Sequence, residues 1–267
     1  MNYKVLCSDL DGTLLTTKSD VSDFTIAEIY RIKKAVKVIL VSARMPKAIS
    51  YLQQRMKIEN EPIICYNGAL IMKGSLEISS TLVGMNFIKE IHRLTEAHSI
   101  KLGLYHKDEW YVEERTERVQ KEIRYTQNTP VFRDTSKTIE DWEHRGIGAH
   151  KIMLMGNKSS TDAISPKLQK MFSTDLHLYR SNDTLIEIAP KSVSKLSAIK
   201  LLIDKEYTLN DVIAFGDNYN DIEMLKHTGC GVAVANGRDQ VKAIADYITL
   251  PNTEDGVAHF IRQHILI

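Results

Sequence analysis

Tyr3-Lys4-Val5-Leu6-Cys7-Ser8-Asp9-Leu10-Asp11-Gly12-Thr13-Leu14 opens the chain with a short apolar run that ends abruptly in two carboxylates and a glycine. The run has the length of a strand, and Asp9 and Asp11, two residues apart at its end, can project toward the same side. In a parallel sheet that carboxyl edge is where ligands bind. Two like charges so close need a cation or a shared proton. A lone Asp11-Gly12 would read as a plain turn. The complete string directly after a hydrophobic strand is much rarer and points to chemistry.

Outward from this stretch, apolar runs of strand length alternate with helix-length segments over 22–35, 36–42, 46–57 and 62–66, which predicts βαβ units and a parallel sheet. Val38-Ile39-Leu40-Val41 lacks polar alternation, as a strand covered on both faces should. Pro46 suits a helix start, where a missing N–H costs nothing. A second such rhythm closes the chain, with helices expected over 194–205, 220–227 and 238–245 around strands over 212–215 and 231–234. Both ends read as one doubly wound α/β sheet. The middle differs. Helices over 85–98, 116–128 and 161–172 and extended runs over 102–105, 110–113, 151–155, 176–179 and 185–188 suggest an α+β lobe. The expected organisation is therefore a Rossmann-like core of residues 1–83 and 191–267, interrupted by an inserted domain over 84–190.

The bulk properties agree with such a chain. Its 267 residues allow one large domain or two smaller ones, and 43% hydrophobic with 26% charged residues is ordinary globular usage. Lys plus Arg is 35 and Asp plus Glu 34, so the net charge of +1 offers no bulk attraction to nucleic acid or an anionic membrane. Cys7, Cys65 and Cys230 are odd in number and far apart, which suggests reduced thiols rather than a disulfide frame. The first apolar run is shorter than a signal peptide needs, and none is long enough to span a bilayer. A cytoplasmic protein is the expectation; its oligomeric state is open.

A second constellation, Val212-Ile213-Ala214-Phe215-Gly216-Asp217-Asn218-Tyr219-Asn220-Asp221, again runs a buried strand into acidic residues. Asp217 and Asp221 should share the sheet edge of Asp9 and Asp11. Carboxylates without His or Cys make a hard-oxygen site suited to Mg²⁺, and the nine histidines show no zinc spacing. Asp221 could equally be a carboxylate favoured at a helix N-terminus. Ser42, in Val41-Ser42-Ala43-Arg44, could hold a phosphoryl oxygen beside the N–H groups of the next helix, or simply cap that helix. Lys195 begins a helix, where a cation opposes the dipole and gains from a nearby anion; alone it would be a surface charge.

Together and in this order, Asp9-Leu10-Asp11-Gly12-Thr13, Ser42, Lys195 and Gly216-Asp217-Asn218-Tyr219-Asn220-Asp221 resemble the haloacid dehalogenase superfamily of aspartate-nucleophile phosphatases. The resemblance covers the whole chain. The insertion sits where the Cof-like subfamily carries a class II (type IIB) cap, and Asn252-Thr253-Glu254-Asp255-Gly256-Val257-Ala258 is similar to its C-terminal signature. Carried over by position, the resemblance implies Asp9 as nucleophile and Asp11 as general acid and base. It implies Ser42, Lys195, Gly12 and Ala43 around the phosphoryl group, and Asp9, Asp217 and Asp11, through its backbone carbonyl, on Mg²⁺. Asp221 would support the metal shell or Lys195, with Asn220, Asn67 and Asn236 nearby; Asn67-Gly68 is also a plain turn signal. The sequence departs from the family at Ser42-Ala43-Arg44, where Thr-Gly-Arg is usual, and at Asn236-Gly237, where Ala usually follows Asn.

The expected activity is Mg²⁺-dependent hydrolysis of small phosphorylated metabolites, sugar phosphates first. Alternatives on the same fold are a phosphohexose mutase, a sucrose-phosphate-type phosphatase and a non-catalytic metabolite-binding regulator; retention of both Asp9 and Asp11 speaks against the last. His177, Tyr179 and Arg180 are candidates for substrate contacts in the inserted domain, or ordinary surface.

Overall fold

The computed structural model describes residues 3–16, 20–203 and 206–266. Five strands come first: β1 Val5–Ser8, β2 Lys37–Val41, β3 Ile63–Cys65, β4 Leu70–Lys73 and β5 Leu76–Ser80. The middle holds β6 Lys101–His106, β7 Glu109–Val112, β8 Val131–Phe132, β9 Lys151–Met155, β10 Leu176–Asn182 and β11 Leu185–Pro190. The chain returns through β12 Val212–Gly216, β13 Cys230–Val234 and β14 Tyr247–Thr249. They form two sheets, ordered β14-β13-β12-β1-β2-β3-β4-β5 and β10-β11-β9-β6-β7-β8. The first is parallel from β14 to β3, after which β4 folds back antiparallel on β3. This is an α/β fold with an inserted α+β lobe.

The chain divides into two compact units, one of Met1–Ile78 with Ser194–Ile267, the other Ser79–Val193. The second is wider at both ends than the 84–190 read from the sequence. The backbone explains the difference: Val83 exchanges hydrogen bonds with Ala149, and the Lys191 N–H donates to the Asp175 carbonyl, so both flanks are tied into the inserted unit.

In the first unit, β1 lies between β2 and β12, and Val5, Leu6 and Cys7 are fully buried. Cys7, Val5, Ile39, Val41, Val212 and Ala214 pack with Leu196, Ile199 and Ile203 of helix Lys195–Ile203 and with Met224 and Leu225 of helix Ile222–His227. A continuous apolar strand covered by helices follows from this burial. The Ser22 side chain caps helix Asp23–Ile32 by accepting from the Thr25 N–H, as the sequence pattern requires. The helix expected over 194–205 begins at Lys195 and is followed to Ile203; its last two expected positions lie outside the described residues.

The inserted unit has its own core, in which Leu102, Leu104, Ile152, Leu154, Ile186 and Ile188 of the sheet meet Ile88, Ile91, Trp142, Ile164 and Leu168 of its helices. Helices Thr135–His144 and Gly256–His264 and strands β4, β5, β8 and β14 are additions to the elements expected from sequence. β5 and β14 are edge-like and largely exposed, with Leu76 63% and Ile248 57% exposed, so they carry no buried-strand signature. The three cysteines are buried and none forms a disulfide. Among the described residues no helix is long and apolar enough to cross a membrane.

Candidate active site

The register of the first sheet brings the two acidic strings together. Ser8 pairs with Leu40 on one side and Phe215 on the other, so Asp9 leaves the sheet beside Ser42 and Asp217. The Asp9 N–H still donates to the Phe215 carbonyl at 3.0 Å, after which the chain makes one wide turn over Leu10–Leu14. Within that turn Asp11 is extended and Gly12 has φ +87°. A Cβ on Gly12 would lie 2.7 Å from Asp217 Oδ2, and the left-handed φ disfavours any L side chain. Gly12→Ala is therefore expected to displace Asp217 and the loop, lowering activity by roughly tenfold or more and stability by about 1 kcal/mol or more. Steady-state rates and a denaturant melt would show an unchanged protein if the loop has slack.

Asp9, Asp217 and Asp221 each present a carboxylate oxygen within 4.8 Å of the others. Asp221 is fully buried and Asp9 nearly so. The Lys195 Nζ sits between two of them, donating at 2.6 Å to Asp9 Oδ1 and at 2.6 Å to Asp221 Oδ1. Burial would push the proton off this ammonium, but the two carboxylates win and hold its pKa above the ordinary lysine range. Burial raises the Asp9 pKa well above the carboxylate range, Lys195 opposes, and the charges of Asp221 and Asp217 add to the rise. Asp217 is pushed up to about 6, by burial and then by Asp221, against a hydrogen bond from Thr13 Oγ1 at 3.1 Å. One ammonium does not relieve three crowded carboxylates, and the donor set is oxygen only. Such a set fits a hard divalent cation.

Asp221 has a second task. Its Oδ2 accepts the backbone N–H groups of Asp217 and Asn218, both at 3.0 Å, and closes a capping box over the turn Tyr219–Asp221. The helix-terminus reading and the Lys195 reading thus describe one residue's two oxygens.

The Asp11 side chain stands outside this cluster. Its two oxygens take the Arg44 Nε and Nη2, each at 2.8 Å, in a bidentate pair with a guanidinium only 4% exposed. Burial works against the Arg44 charge, but Asp11 outweighs it and the pKa rises. Sequence alone gives Arg44 no partner. An arginine just after a buried strand, with no acidic neighbour in sequence, was the available signal. Ser42 is buried and its Oγ accepts the Arg44 N–H at 3.2 Å, with Ala43 between them. Asn67, at φ +56°, accepts from the Asn220 Nδ2 at 3.0 Å, so those two meet. Gly68 beside it, at φ +106°, leaves no room for a Cβ, which would lie 2.4 Å from the Ser194 carbonyl oxygen. Asn236 donates to the Gly12 carbonyl at 2.8 Å.

His177, Tyr179 and Arg180 belong to the inserted unit, and the strand separates them. His177 and Tyr179 alternate onto one face of β10 and stack with ring centroids 5.1 Å apart. Arg180 turns to the opposite face, where it pairs with Asp162 of helix Lys158–Phe172 at 2.5 Å and with Asp183 at 3.3 Å. The alternation of the strand thus places His177 and Tyr179 on one face and Arg180 on the other.

The chain matches over residues 6–261 the family described as haloacid dehalogenase-like hydrolase. It is 32% identical over 270 residues to a phosphatase-named protein of Haemophilus influenzae, with 98% of each chain covered. It is 28% identical over 269 residues to 5-amino-6-(5-phospho-D-ribitylamino)uracil phosphatase of Bacillus subtilis, with 97% of each covered. A solved haloacid dehalogenase-like hydrolase from Bacteroides thetaiotaomicron superposes with TM-score 0.89 at 26% identity, covering 98% of this chain and 99% of that one.

Proposed function

Because the chain belongs to the haloacid dehalogenase-like hydrolases and is a phosphoric monoester hydrolase, we propose that it is a Mg²⁺-dependent phosphatase of small sugar-type phosphates working through a phosphorylated Asp9. The observation that carries this reading is the Lys195 clasp on Asp9 and Asp221, with Asp217 in the same cluster. The carboxylates of Asp9 and Asp217 and the Asp11 carbonyl would hold the ion, which supplies positive charge to a phosphate dianion that carboxylates otherwise repel.

The residues' own work follows from their positions. Lys195 keeps Asp9 oriented by holding Oδ1, which leaves Oδ2 as the attacking oxygen. Attack forms an Asp9 Oδ–P bond and breaks the ester P–O bond. The leaving alkoxide takes a proton from Asp11, which later accepts one from the water that hydrolyses the acyl-phosphate. For either transfer Asp11 must release an oxygen from Arg44, which engages both. Backbone N–H groups of the Leu10–Leu14 turn and Ser42 Oγ would receive the non-bridging oxygens. Support for a sugar-type ester comes from the Bacillus subtilis relative, whose name places its phosphate on a ribityl chain.

The test is phosphate release from a panel of phosphorylated sugars, polyols and heterocycles, with and without Mg²⁺. Turnover is expected with Mg²⁺ and loss of at least about 100-fold in EDTA, given the several kcal/mol a metal contributes to such a transition state. Zn²⁺ should replace Mg²⁺ poorly. Full activity in chelator would remove the metal from the reading, and a preference for heterocyclic phosphates alone would remove the sugar.

A further inference from the structure

Two asparagines far from the catalytic turn in sequence hold the chain just after Asp11, at Gly12 inside the Leu10–Leu14 turn and at Leu15 just beyond it. The Asn236 Nδ2 donates to the Gly12 carbonyl at 2.8 Å, and the Asn252 Nδ2 donates to the Leu15 carbonyl at 2.7 Å. The pair is joined, because the Asn252 N–H donates to Asn236 Oδ1 at 2.8 Å. Each anchor is itself held. The segment of Asn236 is tied to the Asp217 loop by the Arg238 N–H on the Asp217 carbonyl at 2.9 Å. Asn252 begins a short turn that leads into helix Gly256–His264, which is docked on helix Asp23–Ile32 through Arg31 on the carbonyls of Ile261 and Ile265.

We propose that Asn236 and Asn252 form a clamp that positions the Leu10–Leu14 turn for phosphoryl transfer, an inference that rests on the phosphatase reading above. The physical reason lies in the peptide plane. A trans peptide points its C=O and N–H in opposite directions, so pinning the Gly12 carbonyl against Asn236 fixes the Thr13 N–H on the other side. The opposite side of the turn has no slack either. Thr13 Oγ1 is bonded to Asp217, and Gly12 lies too close to the same carboxylate to carry a side chain. With the two carbonyls held, the Gly12–Leu15 half of the turn is fixed, and with it the point from which Asp11 departs. A displacement of about 1 Å in a reacting group costs about a hundredfold in rate, whereas one exposed hydrogen bond adds little to global stability. The clamp therefore affects the rate far more than the melting temperature.

The test uses the full chain with Asn236→Ala, Asn252→Ala and the double variant, measuring kcat, KM and melting temperature on whichever phosphate the wild type hydrolyses best. The expected result is a kcat loss of about tenfold or more for Asn236→Ala, a smaller loss for Asn252→Ala, KM within about threefold, and melting within a few degrees. The double variant should be little worse than Asn236→Ala, since freeing one end already releases the turn. Wild-type rates in the variants, fully multiplicative losses, or kcat losses that track melting would overturn the clamp. Absence of phosphate release by the wild type overturns the phosphatase reading instead.

Discussion

Asp9→Asn is expected to abolish turnover, by roughly 10⁴–10⁶-fold, and to leave no covalent phosphate on the protein after acid quenching with any substrate. The amide keeps the volume and the contact to Lys195 but has no anionic oxygen to attack. The matching change Asp11→Asn keeps the nucleophile and removes the proton donor. Its loss should approach about 10²–10⁴-fold for a sugar phosphate and be much milder for p-nitrophenyl phosphate, whose leaving group needs little protonation. Parallel rates on both substrates separate the roles. A phosphorylated Asp9→Asn protein, or equal losses on both substrates for Asp11→Asn, would reverse the assignment.

Lys195→Met should be both inactive and destabilised. The side chain is 1% exposed and its ammonium is the shared partner of two buried carboxylates. Removing one member of a buried ionic group leaves charge without compensation, at a cost of about 3–5 kcal/mol. For a chain of this length that is a drop of roughly 6–20 °C in melting temperature. The sign of the pH dependence follows from Asp9, whose pKa is already raised in the folded state and loses its main opposing charge. A carboxylate with a raised folded pKa penalises the folded state above its unfolded value and stops doing so once protonated. The deficit relative to wild type should therefore grow as pH rises above the ordinary carboxylate range and disappear as pH falls below it. A deficit independent of pH would point to lost packing rather than uncompensated charge.

Much of the site was legible because its carboxylates end buried strands. Val5-Leu6-Cys7-Ser8 and Val212-Ile213-Ala214-Phe215-Gly216 are recognisable as strands from apolarity alone, and in a parallel sheet both must deliver their next residues to one edge. Asp9 and Asp217 were found for that reason. Arg44 gained no role from sequence, because its partner Asp11 is 33 positions away and only the pairing of β1 with β2 joins them. Arg180 lies on the opposite face of β10 from Tyr179 and His177 because neighbouring residues of a strand point to alternate sides. The edge strands β5 and β14 stayed hidden because exposed strands lack a periodic apolar face.

The amino-acid sequence by itself determined the α/β class, the interruption by a second lobe, and the meeting of acidic residues from two strand ends at one sheet edge. These are local properties: apolar run length, turn residues and residue type at a strand's end are encoded within a few positions. Tertiary structure alone decided which oxygen meets which hydrogen. The Lys195 Nζ is shared by Asp9 and Asp221, 186 and 26 positions away, Asp11 is claimed by Arg44, and Asn236 and Asn252 grip a turn more than 220 positions before them. Hydrogen bonds are short and directional, so their partners are chosen by sheet register and loop docking, and no local pattern in the chain records that choice.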